Sequence, residues 1–204
     1  MSKIISTNRS VSLDDRWLKA KEYIDTGRAK NAMCLLKTLA EEGTKEAYFE
    51  LGNLFERDDT EVSQDLNMAR HWYMKAIEDY DDPYGYFGLA RLALKNFTDA
   101  GALSDAIEYL QIACDKEDIP PALTLLGILY QEGKGLPRDL DKAVELYKRA
   151  IAKGYIAPII YLSRLHWERN HFLASLRLRF KAIYLAYKIA KKDRNDPRLW
   201  NYFN

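Results

Sequence analysis

At 204 residues and 23.7 kDa the chain is long enough for one or two domains with a sizeable core. Apolar residues make up 48% and charged residues 30%, a globular rather than a disordered composition, and a formal charge of +1 gives no global basic excess for nucleic acid or a membrane surface. Ten Gly and six Pro are too few for a loop-rich all-β protein, and three His with two Cys leave little material for metal or thiol chemistry.

Residues 1–13 are polar, carry Lys3 and Arg9, and lack the apolar core of a signal peptide, so a flexible N-terminal segment is expected. Repeated helical units follow at about 14–43, 44–81, 82–118, 119–155 and 156–192, and an aromatic tail at 193–204 closes the chain. The most apolar stretch, 120–130, is interrupted by Thr124 and Gly127 and falls short of the ~20 residues that span a bilayer. Membrane insertion is not expected. A cytoplasmic location is, and the unpaired-looking Cys34 and Cys114 fit a reducing compartment.

The units share a period. Ala32, Ala69, Ala106 and Ala143 stand 37 residues apart. Three and four residues after each come Leu35-Leu36, Trp72-Tyr73, Tyr109-Leu110 and Leu146-Tyr147, and seven after come Leu39, Ala76, Ala113 and Ala150. This is the apolar stripe of a helix, the second of each unit. Upstream, Leu51-Gly52-x-Leu54-Phe55, Leu89-Ala90-x-Leu92-Ala93 and Leu126-Gly127-x-Leu129-Tyr130 mark a first helix, whose small residue admits a close neighbour. Gly43, Asp81-Asp82-Pro83, Pro120-Pro121 and Gly154 punctuate the boundaries. The end units have tighter turns: Ala20, Tyr23, Gly27 and Ala32 in the first, Ser163, His166, Asn170, Phe172, Ser175 and Ala182 in the last. Phe172 to Lys192 lacks Gly and Pro and predicts a helix of 21 residues, about 31 Å long, capping the stack.

The run Ala122-x-x-Leu125-Leu126-Gly127-x-Leu129-Tyr130-x-x-Gly133-x-Gly135-Leu136-x-x-Asp139-x-x-Lys142-Ala143-x-x-x-Tyr147-x-x-Ala150-x-x-x-Gly154 closely resembles a Sel-1-like repeat. Ala47 to Ala76 resembles it with Asp58-Asp59-Thr60 in place of the glycine pair, and Gly85 to Ala113 matches in its helices. The terminal units look more like tetratricopeptide repeats. Pro158 stands at an alanine-like position, and Arg179 replaces the aromatic of Tyr147. The resemblance implies an all-α fold, a right-handed α-α superhelix of about five antiparallel helix pairs, and a role as adaptor or scaffold.

Little points to catalysis. His71, His166 and His171 have no partner at the i, i+4 spacing of a helical zinc site. His166 and both cysteines read as packing residues. No G-x-S-x-G elbow is present, and Gly133-Lys134-Gly135 lacks the phosphate-loop pattern and sits between helices. The Asp58-Asp59 and Asp81-Asp82 pairs read as solvated loop charges. No enzyme activity, metal or cofactor is expected.

In the repeats this chain resembles, first helices line a concave groove. Carried over unit by unit, the groove residues are Trp17 and Lys21; Phe49, Asn53 and Arg57; Phe87, Arg91 and Lys95; Thr124, Ile128 and Gln131; and Ile160, Arg164 and Trp167. Apolar anchors beside cations suit a peptide or protein partner; the alternative is that Trp17, Phe49 and Phe87 fill space between units. Charge is unevenly spread, with ten basic and three acidic residues in 160–204 against four basic and thirteen acidic in 41–82. Nucleic acid is a weaker reading, since the cations of 177–192 scatter around one helix. The expected function is a non-catalytic protein-protein interaction module. The alternative is an immunity or inhibitor protein that neutralises one toxin, a role some members of the resembled family fill. A monomer is expected, with the tail as the route to a weak dimer.

Overall fold

The computed structural model describes residues 12–58, 60–95, 100–192, 196 and 198. Among them the regular elements are ten α-helices, with no strand. The chain divides into two compact units, residues 1–76 and 77–204.

The first unit holds α1 (Leu13–Asp25), α2 (Ala29–Glu41), α3 (Lys45–Glu56) and α4 (Leu66–Tyr80) as far as Ala76. The Ser12 hydroxyl accepts from the Asp15 N–H at 3.1 Å, and Asp14 and Asp15 sit at the positive end of α1. The helix therefore begins inside the segment 1–13 expected to be flexible; residues 1–11 lie outside the described ones. Gly27, at φ 73°, supplies the left-handed step of the tight α1–α2 turn. Ala20, Ala32, Leu36, Leu39, Ala47 and Leu51 are fully enclosed between these helices. Each buried leucine stabilises by about 1.5–3 kcal/mol relative to exposure.

The second unit holds the rest of α4, α5 (Pro83–Lys95), α6 (Ala100–Lys116), α7 (Pro120–Glu132), α8 (Leu140–Ala152), α9 (Ala157–Glu168) and α10 (Phe172–Lys192). Proline opens α5 and α7, where the missing N–H costs nothing. Pro158 lies in the first turn of α9 for the same reason, so its alanine-like position is tolerated. The Gly133–Gly135 turn lies against α6: a Cβ at Gly135 would meet Ile107 and Leu103 at 2.6–2.7 Å. Asp139 then caps α8, accepting from the Asp141 and Lys142 N–H groups at 3.0 and 2.9 Å. Asn170, at φ 61°, makes the last turn. The expected aromatic tail falls on 193–204, where only Asp196 and Arg198 are among the described residues.

One packing rule recurs along the chain. Where the small residue of a first helix is glycine, it faces the residue that follows the second helix's stripe alanine by four. A Cβ on Gly127 would come within 2.6 Å of the Tyr147 ring, and one on Gly52 would strike Tyr73. Where the small residue is alanine, at Ala20 and Ala90, the equivalent position is leucine, Leu36 and Leu110, and all four are fully buried. In the last pair Ser163 accepts from the Arg179 Nε at 3.2 Å and its hydroxyl lies 3.0 Å from that of Ser175. That contact explains how Arg179 replaces the aromatic.

One expectation changes. Cys34 is exposed rather than packed, whereas Cys114 is buried and its thiol is pushed up to about 12 by desolvation; both are free. α10 has the expected length, and Leu173, Leu176, Phe180, Ile183 and Tyr187 are exposed on it.

Candidate interaction surface

The first helices carry thirteen of the fourteen candidate positions, with Arg57 just past the end of α3, and their neighbours decide which of these reach solvent. In the first unit Trp17 is half-buried against the core cluster. Lys21 spans the Trp17 ring at 5.6 Å and Glu50 at 2.9 Å. Asn53 donates to Glu50 at 3.2 Å, and the Tyr73 hydroxyl lies 3.0 Å from the Asn53 carbonyl and 2.7 Å from the Glu56 carboxylate. Lys21, Glu50, Asn53, Tyr73 and Glu56 thus form one polar ladder. Phe49 lies half-buried with its ring 5.6 Å from that of Tyr73, and Arg57 is exposed.

In the second unit three candidates are enclosed. Phe87 is 1% exposed, with the Arg91 guanidinium 5.1 Å above its ring. Thr124 is buried and donates to the Pro120 carbonyl at 2.6 Å. Gln131 is buried too: it accepts from the Tyr147 hydroxyl at 2.8 Å and donates to Glu168 at 3.0 Å. Arg138 closes that network, with Nε to the Gln131 carbonyl at 2.9 Å and a 3.1 Å ion pair to Glu168. These three side chains are therefore enclosed between helices. Neighbouring helices cover positions that the helical wheel of one unit leaves open.

The rest face outward to different degrees. Arg91 and Ile128 are half-buried, and Lys95 and Arg164 are exposed. On α9, Ile160 is 49% and Trp167 54% exposed, with Arg164 between them on the same face. Trp167 is held edge-on against Phe172 at 4.7 Å, with the Arg179 guanidinium 5.8 Å above it. The sequence pattern does not reveal this clamp, because Phe172 and Arg179 belong to a second helix. Among the described residues, no group of three or more His, Cys, Asp or Glu could hold a metal ion, and no helix is long and apolar enough to cross a membrane.

Stacked helix pairs with an outward apolar and cationic face define a helical-repeat protein. The sequence model of the Sel1 repeat matches residues 45–81, 103–118 and 120–155. Those three segments of the chain are Sel1 repeats. The match omits the first helix of the third pair, where Ala90 and Leu110 replace the glycine–tyrosine pair. Among solved structures, the chain is similar to a Sel1 repeat protein from Oxalobacter formigenes, at 22% identity over 93% of this chain and 76% of that one, with a TM-score of 0.65. It is similar to a protective antigen of uropathogenic Escherichia coli displaying an SLR fold, at 19% identity and TM-score 0.63, covering 91% of this chain and 39% of that one. A thermophilic TPR protein of Thermus thermophilus matches at 18% identity and TM-score 0.60, over 92% of this chain and 95% of that one. These likenesses show the fold, a Sel1/tetratricopeptide-like solenoid. No curated protein matches the sequence.

Proposed function

We propose that the chain is a non-catalytic interaction module, an adaptor or scaffold, that binds a peptide or protein segment along the outward faces of its first helices. The observation that carries this reading is the α9 face, where Ile160, Arg164 and Trp167 stand exposed at helical spacing. Tryptophan and arginine are the residue types that dominate binding energies at interfaces. Trp167 is already fixed by Phe172 and Arg179, so little side-chain freedom is left to lose on binding. In the first unit Trp17, Phe49 and Arg57 would form a recognition surface of that unit's own. Phe87, Thr124 and Gln131 would act behind the surface. A cytoplasmic setting and a monomeric state belong to this reading; the exposed thiol of Cys34 suits a reducing compartment.

Peptides selected from a displayed random library test the proposal. They should bind saturably, and Trp167→Ala with Arg164→Glu should weaken them by about 30-fold, the scale of an interface hot spot. Unchanged affinity in a folded double variant would overturn the assignment.

A further inference from the structure

α10 is apolar on two opposite sides. One side carries Ser175, Leu178, Ala182, Leu185 and Ile189; its apolar members pack with Ile156 and Ile159 at the start of α9 and with Ile151 of α8. The other carries Leu173, Leu176, Phe180, Ile183 and Tyr187, whose exposure runs from 50% at Leu176 to 75% at Leu173. The steps between these five residues are 3, 4, 3 and 4, the seam of a packed helix pair.

The preceding pair shows what such a face receives. Ala143 and Ala150 of α8 are buried like Ser175 and Ala182 of α10. Matching them places Ile151 where α10 has Ile183. Ile151 is covered by the cluster that α10 itself joins through Ala182, Leu178 and Leu185. Ile183 thus stands where α8 is covered, while Leu173 and Phe180 stand where α8 has the exposed Asp141 and Lys148, and among the described residues no helix covers this side of α10. A further helix satisfies this geometry, because stacking on a neighbour is how a repeat buries its apolar face.

Charge narrows the occupant. α10 carries six cations and neither Asp nor Glu. At 3.6 residues per turn Arg177, Lys181, Lys188 and Lys192 line one edge of the free seam, and Arg179 stands on the other. A second copy of α10 would set cation against cation in either orientation, parallel or antiparallel. We propose that the outer face of α10 docks an amphipathic helix of a partner protein whose apolar stripe is bordered by Asp and Glu.

Two designed helical peptides of the length of α10 provide the probes. They share a Leu/Ile stripe at 3, 4 spacing and differ only in flanks of Glu or Lys. In fluorescence anisotropy with the full chain, the Glu-flanked peptide should bind about tenfold or more tighter than the Lys-flanked one at low salt. Phe180→Glu with Ile183→Glu should abolish that binding with the circular-dichroism melt unchanged, since both side chains are exposed. Lys181→Glu with Lys188→Glu, which leaves the stripe intact and lowers the charge of α10 from +6 to +2, should shrink the preference for the Glu-flanked peptide. Binding to neither peptide, or equal binding to both, overturns the proposal. So does concentration-dependent dimerisation lost in Phe180→Glu, which makes a second copy the occupant. Phe180-dependent binding to phosphatidylserine–phosphatidylcholine vesicles with no peptide binding makes it a membrane. Peptide binding that appears only in Trp200→Ala with Phe203→Ala makes it the chain's own tail.

Discussion

Phe87 and Trp167 occupy related ladder positions but have opposite surroundings. Phe87 is enclosed beneath Arg91, so Phe87→Ala leaves a cavity and should cost about 3–5 kcal/mol in urea denaturation. Trp167 is half exposed, and Trp167→Ala should cost about 1 kcal/mol, the scale of its ring contact with Phe172. Similar losses at both sites would contradict these placements. His166 offers a pH-dependent test. Its Nδ1 is buried without a hydrogen-bond partner, and desolvation first, then His171, Arg169 and Lys148, hold the imidazole below its ordinary value of 6.5. The folded state therefore favours the neutral ring. As pH falls through the unfolded value, the unfolded chain takes up the proton first and stability drops. The urea midpoint should fall between about pH 7 and pH 5, and His166→Phe should remove part of that fall. An equal fall in the variant would assign the effect to other groups.

Among the elements, the glycine–tyrosine pair is the joint within a helix pair. Gly127→Ala places a methyl 2.6 Å from the Tyr147 ring and should cost about 1–3 kcal/mol. In the third pair the equivalent positions are Ala90 and Leu110, both fully enclosed, so a methyl is accommodated there where leucine stands in place of the ring. In a double-mutant cycle, Gly127→Ala should therefore cost less in a Tyr147→Leu background, with a coupling of about 1–2 kcal/mol. Additive losses would mean that the ring and the glycine do not oppose each other. The joint shows how far the sequence could be read. The 37-residue spacing of the alanines locates α2, α4, α6 and α8, and the prolines and glycines locate ends of helices, because these signals act within a few residues. Solvent exposure is set by contacts between helices. Thr124 and Gln131 disappear behind α7's neighbours, and Cys34 points outward although it lies beside an apolar stripe. α10 carries apolar residues on two sides, and only its packing on α9 and Ile151 divides them into a bound side and an open one.

For the whole molecule, the question is how far a perturbation spreads. In the second unit the helices touch in sequence order, α5 on α6, α6 on α7, α7 on α8 and α9, α8 on α9 and α9 on α10. Such an array draws its stability from each pair and its nearest neighbours, unlike a globule with one shared core. Leu92 lies in α5 and is almost fully enclosed. Leu92→Ala should cost about 2–5 kcal/mol locally. Hydrogen exchange read by mass spectrometry should then show faster opening in α5, α6 and the adjoining turn of α7. The slowest amides of α9 and α10 should keep their rates, because none of these contacts links them directly to α5. Uniform acceleration from α5 to α10 would reveal a single cooperative core, and the stacking argument that assigns an open seam to α10 would fall with it.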